Sequence, residues 1–172
     1  MSPNHQDRAT RALERLGATQ VNADRLTIKA LHEEASAKGV DWERAILATD
    51  AEGPSGPRWP RLLTVARSGM ESMRTELLGG AEHMLLTHPG LLARYDLLGL
   101  LDELRERTTR LAGEGQSLRT LWVLVPTDDP KAPPSVSGRA VPITTATEHL
   151  ALPDVWLRNL HHTTAATSGT TG

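Results

Sequence analysis

Polar side chains follow two apolar runs of this sequence and could do chemistry together. Thr87 and His88 close the run HMLLT, and Asp128 and Asp129 follow the run LWVLVP. If both runs are parallel strands, their carboxyl ends meet at one edge of the sheet, where open parallel sheets bind ligands. A histidine beside two carboxylates can act as an acid–base pair or hold a metal ion.

A structural interpretation of the same residues is simpler. Asp128 and Asp129 precede a proline and suit a solvated turn, and His88 also stands before a proline in a loop. Only one histidine is well placed, and no second ligand is predicted beside it. The sequence therefore predicts no catalytic residue, no metal site and no cofactor, and keeps the pocket of Thr87, His88, Asp128 and Asp129 as the alternative.

A second polar cluster interrupts the leucine-rich string GLLARYDLLGLLDELRERTTR. Arg94, Tyr95 and Asp96 place a guanidinium, an amphipathic ring and a carboxylate where the local pattern is apolar. Such a break marks either a polar anchor inside the fold or a recognition site, so these three are the candidate partner-binding residues. Asp96 directly precedes the next helical run and is expected to cap that helix.

Charges of both signs alternate along the chain. The 19 basic and 21 acidic residues leave a net charge of -2, so the chain lacks the positive field that attracts proteins to phosphate backbones. Arg107 and Arg110 lie four positions after Glu103 and Glu106, the spacing of ion pairs on a solvated helix face. The sequence therefore predicts no specific nucleic-acid binding, with a nucleic-acid accessory domain as an alternative.

Missing residue types narrow the function class further. The 172 residues include no cysteine, which excludes disulfides, thiolate catalysis and thiolate zinc sites. The most apolar string, LLARYDLLGLL, carries two charges and is too short to cross a bilayer. The N-terminus, MSPNHQDRATRALERLG, lacks the apolar core of a secretory signal. These features predict a cytoplasmic protein without a membrane partner.

Signatures of the common enzyme classes are also missing. The sequence has no G-x-G-x-x-G, no G-x-S-x-G elbow and no H-E-x-x-H. The glycines of AEGPSGPRWP are not followed by the Lys-Ser/Thr pair of a Walker loop, so this stretch is expected to be a loop. ATPase, dehydrogenase, serine hydrolase and zinc protease functions are therefore disfavoured.

Helical periodicity dominates the N-terminal half. A short helix is predicted over about residues 6–16 and a longer one over about 24–38. Asn22 or Asp24 is available to cap the longer helix, and Ile28 is expected on its buried face.

Two further helices are predicted before residue 80. Asp41 is expected to cap the first of them. The strongest helical pattern in the sequence repeats apolar residues at steps of three and four from Leu62 to Leu77, which predicts one continuous helix.

A change of period follows. The runs at 83–87 and 121–126 are short and continuously apolar, as in strands buried on both faces, and helical sequence from Leu91 to about Leu111 separates them. Strand, helix and strand at this spacing predict a βαβ unit with adjacent parallel strands. Leu85, Leu86, Val123 and Leu124 are then expected to be nearly inaccessible. Residues 137–143 predict a turn and a short edge strand. A capping-box pattern at Thr145 and Glu148 follows, and two short helices are expected to close the domain with Leu152, Val155, Trp156 and Leu160 facing inward.

The predicted fold is therefore α/β: a small, mainly parallel sheet of two or three strands with a βαβ unit, packed with N-terminal helices. Residues 1–162 are expected to form a single domain. The tail 163–172, TTAATSGTTG, is expected to be disordered because it cannot bury enough apolar area to offset its ordering entropy.

Three strings carry a family resemblance: LLTHPGLLARYDLLGLLDELRERTT, LRTLWVLVPTDDPKAPPSVSGRAVPI and LALPDVWLRNLHH. They resemble the C-terminal region of the PglW-type serine/threonine kinases of phage growth limitation (type 2 BREX) systems, from about Val21 to His162. The resemblance implies antiphage defence in a bacterium, with partners among the other defence-system proteins, which include a methyltransferase, a phosphatase-like protein and an ATPase. It does not carry over the kinase, since the chain has no glycine-rich nucleotide loop, H-R-D or D-F-G.

The sequence is best interpreted as a non-catalytic interaction or regulatory module of such a defence system. Two alternatives stay open. One is a small metal-assisted or acid–base enzyme with its site at the carboxyl edge of the sheet, and the other is the nucleic-acid accessory domain.

Overall fold

Three parallel strands form the central sheet of the protein. The computed structural model describes residues 3–109 and 117–159. The strands are β1 (Thr19–Asn22), β2 (His83–Thr87) and β3 (Thr120–Val123), in the order β1-β2-β3. The α/β class and the parallel pairing of the two predicted strands are confirmed.

Strand β1 is an addition that the sequence did not predict. Its four residues, TQVN, have two exposed and two half-exposed side chains, because β1 lies at an edge of the sheet and, among the described strands, pairs with β2 alone. Such a short and polar segment lacks the apolar alternation or the apolar run by which a strand is detected.

Helices pack against both faces of this sheet. Within the described residues they are α1 (Pro3–Arg15), α2 (Ala23–Ala37), α3 (Ala48–Glu52), α4 (Trp59–Ser68), α5 (Met70–Leu78), α6 (Gly90–Arg94), α7 (Gly99–Thr109) and α8 (Asp154–Asn159). A π-helix (Trp42–Leu47) precedes α3, and a 3₁₀ helix (Ala146–Glu148) precedes α8.

The start of α2 is set by two side chains with different roles. Asn22 is the cap, and its Oδ1 accepts the N–H of Arg25 at 3.0 Å. Asp24 instead accepts the N–H of Leu91 at 2.6 Å, which ties α2 to the start of α6. Ile28 was expected to be buried but is 46% exposed, because the core side of the helix is formed by Ala23, Leu26, Thr27, Ala30, Leu31 and Ala35.

The predicted cap at Asp41 is confirmed, but the helix that it starts is a π-helix. Its carboxylate accepts the N–H of Arg44 at 2.7 Å. Short π-helical turns are rare and often occur at functional sites. This one places the Trp42 ring beside His32 of α2, with 5.0 Å between the ring centroids.

The continuous helix predicted from Leu62 to Leu77 is in fact two helices, α4 and α5, which meet at Gly69. The predicted periodicity is correct, since both leucines are buried. The break occurs where the chain crosses α2: a Cβ at position 69 would lie 3.2 Å from the carbonyl oxygen of Ala30. Close approach of two helices explains the glycine, and local periodicity cannot reveal it.

Alternate residues of β2 face different layers. Met84 and Leu86 belong to a large core formed with α2 and with α4 to α7. Leu85 faces the other way, into a smaller cluster with Ala9 of α1 and Leu157 of α8. All three β2 side chains are at most 2% exposed, which agrees with a central strand covered on both faces.

Strand β3 is less buried than predicted. Leu124, just after the strand, is 7% exposed as expected, but Val123 is only partly buried and Trp122 is 37% exposed. The expectation that Val123 would be inaccessible is wrong, because β3 is an edge strand whose only paired neighbour among the described strands is β2.

The predicted turn and strand near residue 139 form a separate hairpin. β4 (Ser135–Val136) pairs antiparallel with β5 (Arg139–Ala140) instead of adding an edge to the central sheet. Ser137 and Gly138 both have positive φ, 51° and 77°, as two-residue hairpin turns of type I′ require.

The capping box predicted at Thr145 and Glu148 takes a different form. Glu148 Oε2 accepts the N–H of Thr144 at 2.8 Å, whereas the Thr145 hydroxyl contacts the hydroxyl of Thr147. The Glu148 side chain therefore bonds to the N–H of Thr144, one residue before the Thr145 N–H that a capping box would use.

Helix α8 presents a different face from the one predicted. Val155 and Trp156 were expected to point inward but are 63% and 37% exposed, while Leu157 is 1% exposed and packs with α1. Leu152 is partly buried against the same cluster, as predicted, and Leu160 lies outside the described residues, as does the tail from 163.

Candidate functional site

The candidate partner-binding residues lie at the end of α6, in a turn that the sequence did not predict. The N–H of Asp96 donates to the carbonyl of Ala93 at 3.3 Å, and the N–H of Leu97 donates to the carbonyl of Leu92 at 2.7 Å. This pair of bonds is the Schellman motif that closes helices, with Asp96 in the left-handed region at φ 59°. Asp96 therefore ends α6, and the predicted continuous helix from Leu91 is divided into α6 and α7.

Arg94 and Tyr95 converge on one carboxylate, that of Asp50 in α3. The Arg94 Nε donates to Asp50 Oδ1 at 2.7 Å, and its Nη2 donates to the Asp50 main-chain carbonyl at 2.8 Å. The Tyr95 hydroxyl donates to the same Oδ1 at 3.0 Å. Three hydrogen bonds thus fix α6 against α3.

Trp59, the first residue of α4, completes this cluster. The Arg94 guanidinium carbon lies 5.3 Å from the centroid of the Trp59 ring, within the range of a cation–π contact. The Tyr95 ring lies 6.0 Å from the same ring at 41°. Tyr95 and Trp59 are buried, at 5% and 7% exposed, whereas the Arg94 side chain is 37% exposed. We call Asp50, Trp59, Arg94 and Tyr95 the Asp50 cluster.

Burial and charge shift the acidity of the Asp50 cluster. Burial raises the pKa of Tyr95 to about 12, and its hydrogen bond to the Asp50 carboxylate acts in the same direction. The hydrogen bond to Asp50 also raises the pKa of Arg94 above its already high value. At neutral pH the phenol is therefore protonated and donates, and Tyr95 is poorly suited to act as a base.

Asp96 lies between two arginines from other parts of the chain. Arg67 of α4 donates to its Oδ2 at 2.9 Å, and Arg139 of β5 donates to its Oδ1 at 2.6 Å. These hydrogen bonds lower the pKa of Asp96 below its ordinary value, the one from Arg67 being the larger cause. The three side chains, the Asp96 triad, are 48%, 55% and 52% exposed in the order Asp96, Arg67, Arg139.

The expectation that Asp96 caps the following helix is therefore wrong. Within the described residues its carboxylate bonds to the two arginines, because left-handed backbone at position 96 turns the chain before α7 begins. Asp50, Trp59, Arg67 and Arg139 are functional candidates that sequence reasoning missed. Each lies far from the turn along the chain, and only the unexplained polarity of Arg94, Tyr95 and Asp96 pointed to them.

At the carboxyl edge of the sheet, the structure places two of the four residues of the alternative pocket. Thr87 is fully buried, and its hydroxyl accepts from the Gln20 amide at 3.1 Å. His88 is exposed, with φ 54°, and its Nδ1 lies 3.4 Å from the Asn22 amide nitrogen. Because Asn22 Oδ1 is engaged by the start of α2, its NH₂ group faces His88, so Nδ1 is the acceptor.

Asp128 and Asp129 lie in a local turn after β3. The Thr127 hydroxyl donates to the Asp129 carbonyl at 2.9 Å, and the N–H of Lys131 donates to the Asp129 carboxylate at 2.9 Å. These are the contacts of a polar turn. In residues 3–109 and 117–159, no group of three or more histidine, aspartate or glutamate side chains is arranged to hold a metal ion.

Arg74 of α5 and Arg105 of α7 pair with acidic side chains. Arg74 of α5 pairs with Glu71 and Glu103, and Arg105 pairs with Asp102. The Glu103–Arg74 contact links two helices, which spacing within a single helix cannot predict. Arg110 of the predicted helix-face pairs lies outside the described residues. In the described part of the chain, no helix is long and apolar enough to span a membrane.

A groove on the outer side of α2 is a surface that the sequence did not reveal. Six residues line this α2 groove, which is open and has a volume of about 540 Å³: Arg25, Ile28, Lys29, His32, Glu33 and Trp42. Its centre is apolar, since Ile28 is 46% exposed and the half-buried Trp42 ring lies beside it. In the sequence, the groove could have been found from two large apolar residues on neighbouring elements, Ile28 on α2 and Trp42 directly after the cap at Asp41.

Comparison with known proteins identifies one relative. The chain is 36% identical over 156 residues to the probable kinase PglW of Streptomyces coelicolor. The match covers 86% of this chain and 10% of that protein, so the chain spans about a tenth of the length of its relative. No protein-family model and no solved structure matches the chain. The resemblance to PglW-type proteins is confirmed, over a share that is consistent with a region lacking the kinase domain.

Proposed function

We propose that this chain, which is similar to a tenth of PglW, is a non-catalytic interaction module of a bacterial antiphage defence system of the BREX type. In this proposal it acts in the cytoplasm and its partners are other proteins of the same system. The similarity to PglW supports a place in antiphage defence. The geometry of the turn at Asp96 supports the role of the module.

The observation that carries the proposal is the Asp96 triad. Its three charged side chains come from α4, the turn after α6 and β5, and each is about half exposed. The Asp50 cluster beneath holds the turn in place through three hydrogen bonds. Fixed charged groups that remain accessible lose little side-chain entropy when a partner binds, and arginine is enriched at protein interfaces.

Within this surface the predicted residues have separate roles. Tyr95 is buried and serves the turn as an anchor. Arg94 is both anchored to Asp50 and partly exposed, and Asp96 faces solvent between Arg67 and Arg139. We therefore assign partner contact to Arg94, Asp96 and the two arginines that flank Asp96, and positioning to Tyr95.

The experiment is capture of purified defence proteins of the same system by the full chain. Arg139→Glu places a carboxylate beside Asp96 on the hairpin surface and is expected to abolish capture while the melting temperature falls by only a few degrees. Arg11→Glu is the matched control and should leave capture intact. Arg11 is an exposed residue of α1, which packs on the opposite face of the sheet. Equal capture by wild type and Arg139→Glu would overturn the assigned surface.

The same protein preparation tests the enzyme alternative. If the carboxyl edge of the sheet carries chemistry, turnover with magnesium, manganese or zinc should disappear in His88→Ala and Asp128→Asn. We expect no ATP hydrolysis, protein phosphorylation or nuclease cleavage. We also expect a Kd for duplex DNA no lower than about 10⁻⁴ to 10⁻⁶ M at physiological salt, the range of non-specific binding.

A further inference from the structure

The α2 groove carries opposite charges at its two ends. Arg25 lies at the end nearest the start of α2, and within the described residues its guanidinium has no side-chain partner. Glu33 lies at the other end, where its carboxylate accepts from the hydroxyl of Ser72 at 3.3 Å and also attracts the ammonium of Lys29 without a hydrogen bond between them in the described residues. Both side chains are exposed. Among residues 3–109 and 117–159, neither Arg25 nor Glu33 has a hydrogen-bonding partner of opposite charge, so each end of the groove presents a charge to a partner.

The middle of the groove is apolar and close to neutral. Ile28 and Trp42 line it, and the His32 ring packs against the Trp42 ring at an interplanar angle of 58°. Lys29 is neutralised by Glu76 of α5, with 2.6 Å between Nζ and Oε2. That hydrogen bond also raises the pKa of Lys29, so its ammonium stays protonated at neutral pH.

This pattern is self-complementary. Arg25 and Glu33 are each four residues from Lys29, so they lie about 12 Å apart along the helix, symmetrically about its centre. When a second α2 crosses antiparallel at that centre, its Glu33 faces Arg25 and its Arg25 faces Glu33. An interface between identical chains related by a two-fold axis has this property: residue i meets residue j and j meets i.

We infer that the α2 groove is the contact surface between two copies of this chain, which pair through antiparallel α2 helices. Arg25 of each copy forms an ion pair with Glu33 of the other, and the two Ile28 side chains and the Trp42 rings close the apolar centre. The two Lys29 side chains meet as neutralised pairs with Glu76, so the centre carries no net repulsion. This inference is independent of the partner surface proposed at Asp96.

The contact is small, because one groove and one helix face take part. Interfaces of this size associate weakly, so the dimer is expected to have a Kd between about 1 μM and 1 mM. Its formation depends on protein concentration and falls as salt rises, since the ion pairs at the ends are exposed.

The test is sedimentation equilibrium of the full chain and of charge-reversed variants. Arg25→Glu and Glu33→Arg should each weaken self-association by about tenfold or more, because each creates two like-charged contacts per dimer. The double variant Arg25→Glu/Glu33→Arg should associate as wild type does, since swapping both charges preserves complementarity. Ile28→Asp should abolish association, and Arg11→Glu on α1 is the charge-matched control that should change nothing.

Mixing the two single variants gives the sharpest result. Arg25→Glu carries carboxylates at both ends of the groove and Glu33→Arg carries guanidiniums at both ends, so the mixture should form a one-to-one heterodimer at concentrations where each variant alone associates much more weakly than wild type. Misfolding cannot produce that result, and circular dichroism checks each variant. A wild-type chain that is monomeric at about 1 mM, as expected if the groove serves a different protein, overturns the inference. So does a mixture that fails to associate.

Discussion

The Tyr95 hydroxyl donates to the Asp50 carboxylate at 3.0 Å, joining residues 45 positions apart in the chain. Asp50 lies in α3 and Tyr95 at the end of α6, so this bond holds together two helices of five residues each. Helices this short are not stable alone, and their position depends on tertiary contacts. The Asp50 cluster therefore determines how the turn at Asp96 is presented.

The titration of Tyr95 can be measured directly, because it is the only tyrosine of the chain. We expect the phenolate absorbance of the folded protein to appear with a midpoint near pH 12, since burial raises the pKa of Tyr95 to about 12. The folded pKa lies above the unfolded value of about 10. The protonated phenol therefore stabilises the fold fully below pH 10, and this contribution is lost as the pH rises toward 12.

Asp50→Asn is the matched variant for this titration. It removes the negative charge that helps to raise the pKa of Tyr95 but keeps an oxygen that can accept the hydroxyl, so the midpoint should move toward its ordinary value. Circular dichroism recorded at each pH separates titration from unfolding. A midpoint near 10 in the folded wild-type protein would show that Tyr95 is not buried as described.

Removal of the Asp50 carboxylate should destabilise the protein. Asp50→Ala leaves the buried Tyr95 hydroxyl without its acceptor and Arg94 without its ion pair, so we expect a loss of about 1 to 3 kcal/mol in the free energy of unfolding. Urea denaturation measures the loss. Tyr95→Phe removes one hydrogen bond without leaving an unpaired group and should cost about 1 kcal/mol. If Asp50→Ala unfolds at the wild-type urea concentration, the cluster does not anchor the turn.

The Asp96 triad predicts a small dependence of stability on acid pH. The hydrogen bonds from Arg67 and Arg139 hold the folded pKa of Asp96 below its ordinary value of 3.8. The contribution of Asp96 is therefore complete above that value and is lost as the pH falls through the lower, folded pKa. Because the triad is about half exposed, solvent screening limits its contribution to less than about 1 kcal/mol.

Asp96→Asn isolates this effect. Asparagine also tolerates the left-handed backbone that φ 59° requires, so the turn is kept while the charge is removed. Thermal melts from pH 7 to pH 2 should show a smaller acid-induced loss of stability in the variant than in wild type. Identical pH profiles would mean that the ion pairs of Asp96 contribute nothing in solution.

The parts of the fold that the sequence predicted correctly are those whose signal is local. Both ends of β2 were predicted at the correct residues, because an apolar run bounded by Gly79-Gly80 and Pro89-Gly90 fits only a short buried strand. The cap at Asp41 was predicted because capping depends on neighbouring amides. β1 was not predicted, since its polar residues form a strand only because β2 lies beside them.

The candidate site shows the same division. Arg94 and Tyr95 were conspicuous in the sequence because they break an apolar pattern, yet their partner Asp50 is 44 and 45 positions away and leaves no trace in local spacing. Asp96 was misassigned for a physical reason. A carboxylate between two helical runs suits the start of the second helix as well as the end of the first, and only the backbone conformation distinguishes the two.

Two glycines at helix boundaries make opposite predictions. Gly69 joins α4 and α5 where they cross α2, and a Cβ there would lie 3.2 Å from the main-chain oxygen of Ala30 and 3.3 Å from its Cβ. Gly99 begins α7, and a Cβ there would meet nothing within 4 Å. Neither has a positive φ. The backbone therefore permits alanine at both positions, and only the space around them differs.

Gly99→Ala should therefore stabilise the protein, and Gly69→Ala should destabilise it. Alanine lowers the conformational entropy of the unfolded chain, which is worth about 0.4 to 1 kcal/mol where the native backbone accepts it. At position 99 nothing opposes this gain. At position 69 the added methyl pushes α4 and α5 away from the main chain of α2, and overpacking of this kind typically costs about 1 to 3 kcal/mol, more than the entropic gain. Urea denaturation of both variants measures the difference, and a Gly69→Ala protein as stable as Gly99→Ala would mean that the helices do not cross as closely as described.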